Sequence, residues 1–378
     1  MKKAAIIIPT YNEGANISQL ITHIFEVAQK IPNWEIHVMV VDSSSPDKTD
    51  EIVEKLTTKY PRLHLIRSKK EGLGKAYVQG FTSAMETLNP YVLFEMDADL
   101  SHDPEEIPHF LHKIEKGADF VVGSRYIKGG SIPSNWGLHR KIFSLCGNLI
   151  VRLGFMRLDV TDWTNGFRAV KSWVIKASMD HIKNYSGYVF QIAFLDFAYN
   201  QKAIIRETPI NFVDRREGES KIDSVQYISQ MLAYVCTHSP FIKFVITGLL
   251  GFCVDFGFAY LFINSFHIVK TTANIFSAEI AIVANFFINN FWSFKHKKIT
   301  GGVWTYIKNF LVFNGVSSGS IFIQWGGLNL LLHFFGDKAL HLGGLSLQSW
   351  IFYKVIIIAF VIIPYSYILY NKIIWKKK

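Results

Sequence analysis

Along the first 125 residues the apolar positions switch repeatedly between strand-like and helix-like spacing. Residues 4–8 form a continuous apolar run, as in a strand buried on both faces. Ile17, Leu20, Ile21, Ile24, Phe25 and Ala28 then fall on one stripe of a helix. The alternation continues with a strand at 36–41, a polar turn at 42–47, a helix at 49–60 and a strand at 63–67. A helix at 75–88, a strand at 91–96, a helix at 104–116 and a strand at 120–123 complete it. Strands alternating with helices predict an α/β domain, a mostly parallel sheet with helices on both faces. Ligands on such sheets bind beyond the carboxyl ends of the strands, where residues 9–13, 42–47, 97–99 and 124–125 fall.

The second half has another pattern. Residues 241–263, 273–294, 309–335 and 350–370 are long apolar segments with few charges, each sufficient for about 30 Å of hydrocarbon. This predicts an all-α domain of four membrane spans. Lys295, Lys297 and Lys298 follow the second segment and Lys376, Lys377 and Lys378 end the chain, whereas the other two loops carry only Lys270 and Lys338. The positive-inside rule then puts both termini in the cytoplasm. Between the halves, Ile222, Val225, Ile228, Met231, Leu232 and Val235 make an apolar stripe. The division expected is a catalytic domain over 1–222, an amphipathic interfacial helix over 223–239 and a membrane domain over 240–378.

The net charge of +10 changes little once it is located. Residues 241–378 contain 12 lysines, no arginine and 3 acids, so nearly all the excess flanks apolar segments. That distribution argues against nucleic acid as a partner. Cys146, Cys236 and Cys253 lie far apart and give neither a disulfide framework nor a zinc spacing. The apolar run at 4–8 is too short for a signal peptide, which leaves the first domain in the cytoplasm as the expectation.

The sharpest chemical signal is Asp97-Ala98-Asp99, directly after an apolar strand. Two carboxylates on one turn suit a hard divalent cation, Mg²⁺ or Mn²⁺, shared with a diphosphate. Ser101 either adds an oxygen ligand or caps the next helix.

Pro9-Thr10-Tyr11-Asn12-Glu13, Val41-Asp42-Ser43-Ser44-Ser45-Pro46-Asp47 and Gly72-Leu73-Gly74-Lys75-Ala76-Tyr77 resemble glycosyltransferase family 2. With residues 97–104, Gly123-Ser124-Arg125-Tyr126 and residues 215–221, the set resembles the dolichyl-phosphate mannose synthases of that family. The segment Asn285-Phe286-Phe287-Ile288-Asn289-Asn290-Phe291-Trp292-Ser293-Phe294 is similar to the GtrA-like four-span membrane domain. The resemblance implies a nucleotide-diphospho-sugar transferase fold of the GT-A type. It puts Pro9, Tyr11, Glu13, Asp42, Gly74, Lys75, Asp97, Ala98 and Asp99 at the donor, and Asp97, Asp99 and Ser101 at the metal. Arg125, Arg140, Ser144, Arg215 and Lys221 go to the acceptor phosphate, with Asp99, Arg125 and Arg215 the expected catalytic groups. Ser43 stands where many relatives have a second aspartate, and Ala193 where relatives often have glutamate.

The implied reaction is inverting transfer of mannose from GDP-mannose to dolichyl or polyprenyl phosphate, without an obligatory protein subunit. A phosphate monoester is already a nucleophile near neutral pH, so no general base is required. One alternative is a UDP-glucose or other hexose transferase using the same lipid. Another, of a different class, is a lipid-linked sugar translocase, to which the intramembrane Asp255 and Glu279 would belong.

Overall fold

In the computed structural model, which describes residues 1–214, 224–342 and 345–376, the first apolar run becomes β1 (Lys2–Thr10) at the centre of a sheet. It pairs in parallel with β2 (Trp34–Asp42) on one side and β4 (Val92–Glu95) on the other, and β3 (Leu63–Arg67) lies beyond β2. Ile6 and Ile8 point into a core shared with Ile17, Leu20, Ile21 and Ile24 of α1 (Gly14–Gln29). Ile7 faces the other way, toward α3 (Leu73–Thr87). Burial on both faces is why this strand reads as an unbroken apolar run rather than an alternating one. The remaining early helices are α2 (Thr49–Thr57) and α4 (Ile107–Glu115). A short 3₁₀ turn precedes α4, and its cap is Asp103, whose carboxylate accepts from the Glu105 N–H at 3.0 Å. Ser101 is not the cap.

Beyond residue 125 the chain builds what the periodicity did not reveal. Helix α5 (Leu138–Phe155) precedes β6 (Arg168–Lys171), followed by α6 (Ser172–Ile182), α7 (Phe190–Asn200) and β7 (Ile205–Pro209). Strand β6 runs antiparallel between β4 and β5 (Phe120–Ser124), while β7 pairs in parallel with β5. The seven-stranded order is β3-β2-β1-β4-β6-β5-β7, mostly parallel with one reversed strand.

Two compact units divide the chain, Met1–Val235 and Cys236–Lys378. Helix α8 (Ser224–His238) packs its Met231, Tyr234 and Val235 side chains into the first unit. The Tyr234 hydroxyl donates to Asp196 at 3.1 Å. The buried face is thus turned from the apolar stripe read in the sequence, and Val225 and Leu232 stay exposed.

In the second unit, α9 (Pro240–Asn264) and α10 (Lys270–Ile288) form an antiparallel pair, and α10 continues through a π-helical turn to Ser293. Helix α11 (Val303–Phe335) is followed by a hairpin of β8 (Ala339–Leu342) and β9 (Leu345–Gln348). The chain ends with α12 (Ser349–Ile357) and α13 (Ile363–Leu369), linked and extended by π-helical turns. Among the described residues, Pro240–Asn264, Lys270–Ser293 and Phe352–Ile374 are long and apolar enough to cross a membrane. Asp255 accepts a hydrogen bond from Ser277 at 2.5 Å, which gives one of the two intramembrane acids a polar neighbour.

Phe110 of α4 lies 4.4 Å from Phe167 and 5.8 Å from Phe94, ring centre to ring centre, and is fully buried. Phe110→Ala should therefore destabilise the first unit by about 3–5 kcal/mol. Denaturant unfolding followed by tryptophan fluorescence checks this, and a loss under 1 kcal/mol would contradict the packing described.

Candidate active site

Four chain segments meet the carboxyl ends of the strands. Asp42 ends β2 and is buried, and its carboxylate is already engaged. It accepts from the Thr10 hydroxyl at 2.9 Å, the Ser45 N–H at 2.9 Å and the Ser45 hydroxyl at 2.5 Å. Ser45 accepts in turn from the Asn12 N–H at 3.0 Å, and Asp47 accepts from the Gly14 N–H at 2.8 Å. Asp42 thereby knits the end of β1, with Pro9, and the following loop, with Tyr11 and Glu13, to the loop after β2. The Lys70 ammonium sits 3.6 Å from the centre of the Tyr11 ring, a cation–π contact on the same rim.

The Gly-Leu-Gly turn has a local explanation. Gly72 adopts φ +105°, and a side chain at Gly74 would lie 2.1 Å from the Tyr185 carbonyl oxygen. Gly74 N–H donates to the Ser186 carbonyl at 2.8 Å, and Lys75 Nζ donates to that of Lys183 at 2.8 Å. The close backbone approach that these glycines permit is to the protein's own segment 183–186.

Asp97 and Asp99 sit half-buried just past β4. Asp97 N–H donates to His102 Nδ1 at 3.0 Å, so the proton of a neutral His102 resides on Nε2, 3.8 Å from the Asp97 carboxylate. Tyr77, fully buried, donates toward Asp97 at 3.4 Å. Asp99 accepts from the Ser101 N–H at 3.1 Å, and the buried Ser101 hydroxyl has no hydrogen-bond partner. Two half-buried carboxylates beside an unsatisfied hydroxyl are chemically suited to a hard cation. Among the described residues, no group of three or more His, Cys, Asp or Glu side chains forms a metal cage.

Arg125 is held by residues that no motif of the sequence marks. Arg125 donates to Asp162 from Nε at 2.7 Å and Nη2 at 2.8 Å, with a further bond from Nη2 to Thr164 at 3.0 Å. Asp162 is fully buried. The polar loop 162–167 also passes under the Asp97 turn, because a side chain at Gly166 would come 3.6 Å from both Asp97 oxygens. Arg168, likewise fully buried, fixes this loop by donating to the Trp163, Asn165 and Gln191 carbonyls at 2.8, 2.8 and 2.6 Å. Its Nε is 3.8 Å from Glu95, whose carboxyl burial pushes up to about 7 against the opposing pull of Arg168. A polar run with a glycine between two apolar segments was the available signal for this loop.

Other expected residues are dispersed around this centre. Ser144 and the Tyr126 hydroxyl share a 2.5 Å hydrogen bond. Arg140 pairs with Asp214 at 3.1 Å and covers the Trp136 ring at 4.0 Å. Arg215 and Lys221 lie outside the described residues.

The Arg125–Asp162 clamp has a thermodynamic signature. Burial alone would raise the Asp162 pKa, but the Arg125 charge and hydrogen bonds outweigh it and hold it below the usual carboxylate range. The stability this contributes is complete above the unfolded value of about 3.9 and is lost as pH falls toward the folded one. Arg125→Ala leaves a buried uncompensated carboxylate and should cost about 3–5 kcal/mol at pH 7. The gap from the parent protein should begin to narrow below about pH 4, where Asp162 protonates in the unfolded state, and close only at the lower pH where it protonates in the folded state as well. Urea unfolding at the two pH values checks both, and an unchanged midpoint at pH 7 would refute the clamp.

Comparison with known proteins assigns both halves of the chain. Residues 5–182 match Glycosyl transferase family 2, and residues 243–375 match the GtrA/DPMS transmembrane domain. The dolichol-phosphate mannosyltransferase of Pyrococcus furiosus is 35% identical over 300 residues, 78% of this chain and 81% of that one. The polyprenol monophosphomannose synthase of Mycolicibacterium smegmatis is 35% identical over 223 residues, 58% of this chain and 81% of its own. The undecaprenyl-phosphate mannosyltransferase of Micrococcus luteus is 39% identical over 218 residues, 57% and 86% of the respective chains. Similarity at this level across both halves makes the chain a member of the dolichol-phosphate mannose synthase family, a family 2 glycosyltransferase with a GtrA/DPMS transmembrane domain.

Proposed function

We propose that this glycosyltransferase moves mannose from GDP-mannose to dolichyl or another polyprenyl phosphate at the cytoplasmic membrane face, with inversion. The observation that carries the reading is loop 162–167, which touches the Asp97 turn at one end and clamps Arg125 at the other. One loop thus joins a site for a leaving diphosphate to a cation for an incoming phosphate. The names of the three relatives support mannose and a prenyl phosphate as the transferred group and acceptor class.

In this reading Pro9, Tyr11 and Glu13 border the nucleotide, and Asp42 holds their loop in place. Asp97 and Asp99, with Ser101 beside them, would hold Mg²⁺ or Mn²⁺, leaving most ligand positions to diphosphate and water. The ion, when bound, neutralises charge on the departing diphosphate. Arg125, Arg140, Arg215, Lys221 and Ser144 attract and orient the acceptor phosphate. An acceptor oxygen forms its bond to the anomeric carbon as the bond from that carbon to the diphosphate breaks, and GDP leaves. Because the nucleophile arrives as an anion, the protein's contribution is orientation and charge rather than proton abstraction. This reading counts α11 as a fourth span beside the three helices that are long and apolar enough to cross a membrane, and the lysine distribution supports both termini in the cytoplasm.

The decisive experiment is a donor panel of GDP-mannose, UDP-glucose and other sugar nucleotides, given to the purified chain with dolichyl phosphate and Mn²⁺. Mannosyl lipid from GDP-mannose alone is expected, and a preference for UDP-glucose or transport without transfer would overturn the proposal. Asp99→Ala should lower turnover by about 10²–10³-fold, the order seen when one electrostatic contact to transition-state charge is lost. Its unfolding midpoint should be unchanged, since the Asp99 carboxylate is half-exposed. Full turnover in chelator would remove the metal from the scheme.

A further inference from the structure

The segment that joins β3 to α3 is fastened at both ends. At its start, the Ser68 N–H donates to the Asp42 carbonyl at 2.8 Å, and the Ser44 hydroxyl donates to the Ser68 carbonyl at 2.8 Å. At its end, the Gly74 N–H donates to the Ser186 carbonyl. Lys70 lies between these anchors on an exposed stretch, and its ammonium turns back onto the Tyr11 ring. The loop of Tyr11 is itself tied to the same strand end, through Thr10 to Asp42 and through the Asn12 N–H to Ser45. Ring and cation therefore keep a fixed relation across the rim. Their contact is weak at an exposed site, and the flexible four-carbon stem lets the ammonium swing away at little cost.

We propose that Lys70 reads the base of the donor nucleotide: the base stacks on the Tyr11 face that the ammonium vacates, and the ammonium moves to the O6 and N7 edge of guanine. The inference rests on the GDP-mannose reading above. Two observations point to an acceptor edge. The Asp42 carboxylate, the nearest acid on this strand end, already spends three of its roughly four acceptor sites on Thr10 and Ser45. Its neighbour Ser43 is neutral and buried. The end of β2 thus offers little to the N–H groups of a base, whereas Lys70 brings three donors and a charge. Guanine sets two acceptors side by side, which a lysine contacts together. Adenine puts an amino donor beside N7, and a pyrimidine such as uracil presents one carbonyl oxygen there. A lysine on this rim therefore favours guanine over both.

The test is calorimetry on the full chain in detergent with Mn²⁺, comparing the parent protein with Lys70→Met, which keeps the side-chain length and removes the donors. GDP should bind the variant about tenfold more weakly, the loss of one charge-assisted hydrogen bond. IDP, which lacks the guanine amino group but keeps O6 and N7, should lose affinity by the same factor. ADP and UDP should change by less than about twofold, because an exposed charge acts only weakly beyond direct contact. Lys70→Arg, which can also bridge O6 and N7, should restore most of the GDP affinity. In turnover, Lys70→Met should raise the KM for GDP-mannose about tenfold and leave kcat unchanged, as when an interaction common to ground and transition state is removed. An equal loss for all the nucleotides would place Lys70 on their shared diphosphate or ribose and overturn the base contact, as would no loss for any. A parent protein that binds UDP more tightly than GDP overturns the donor assignment and the guanine contact together, a result distinct from either outcome at Lys70.

Discussion

A single buried guanidinium organises the catalytic unit. Arg168 spends one hydrogen bond from each of its nitrogens on the carbonyls of Trp163, Asn165 and Gln191, and it stands against the Glu95 carboxyl at the end of β4. Burying an arginine is costly unless its donors and charge are answered. Here the answer comes mostly from backbone, so loop 162–167 and α7 are gathered around one point. The Asp97 turn and the Arg125 clamp both lean on that loop. A buried cation thus sets the spacing between the Asp97 turn and Arg125.

The Arg125–Asp162 pair shows the same economy. An arginine free in solution could turn its fork toward any phosphate but would lose side-chain entropy on binding. Asp162 takes that loss during folding and leaves part of the guanidinium facing the Tyr126 and Phe212 rings. Preorganisation of this kind favours discrimination in geometry over raw attraction.

What the sequence disclosed follows from where periodicity is strong. Strands β1 to β5 and helices α1 to α4 alternate with clean spacing, and the Asp97-Ala98-Asp99 turn falls at a strand end as expected. Residues 126–214 were illegible for a physical reason. Strand β6 is only Arg168–Lys171, flanked by charges that are themselves buried or paired, so no apolar run announces it. The support for Arg125 lies 37 residues away at Asp162, and only tertiary contact brings them together. Gly72 and Gly74 carry the opposite lesson. Their pattern suits a ligand-hugging loop, yet their close approach is to residues 185–186. Asp42 likewise reads as a ligand-facing acid, and its carboxylate accepts three hydrogen bonds from Thr10 and Ser45.

The reversed strand has a consequence for how this chain comes to be folded. Strand β4 ends at Glu95, but the partner that covers its outer edge begins at Arg168. During synthesis the β3-β2-β1-β4 half can assemble from local crossovers while one edge of β4 still exposes unpaired backbone. Closure waits for a strand made much later, a long-range contact of the kind that slows folding and invites aggregation. Since Arg168 arrives on that strand, loop 162–167 takes its place only as the open edge is sealed, and a nascent chain stalled before it would carry the Asp97 turn without the loop that packs beneath it.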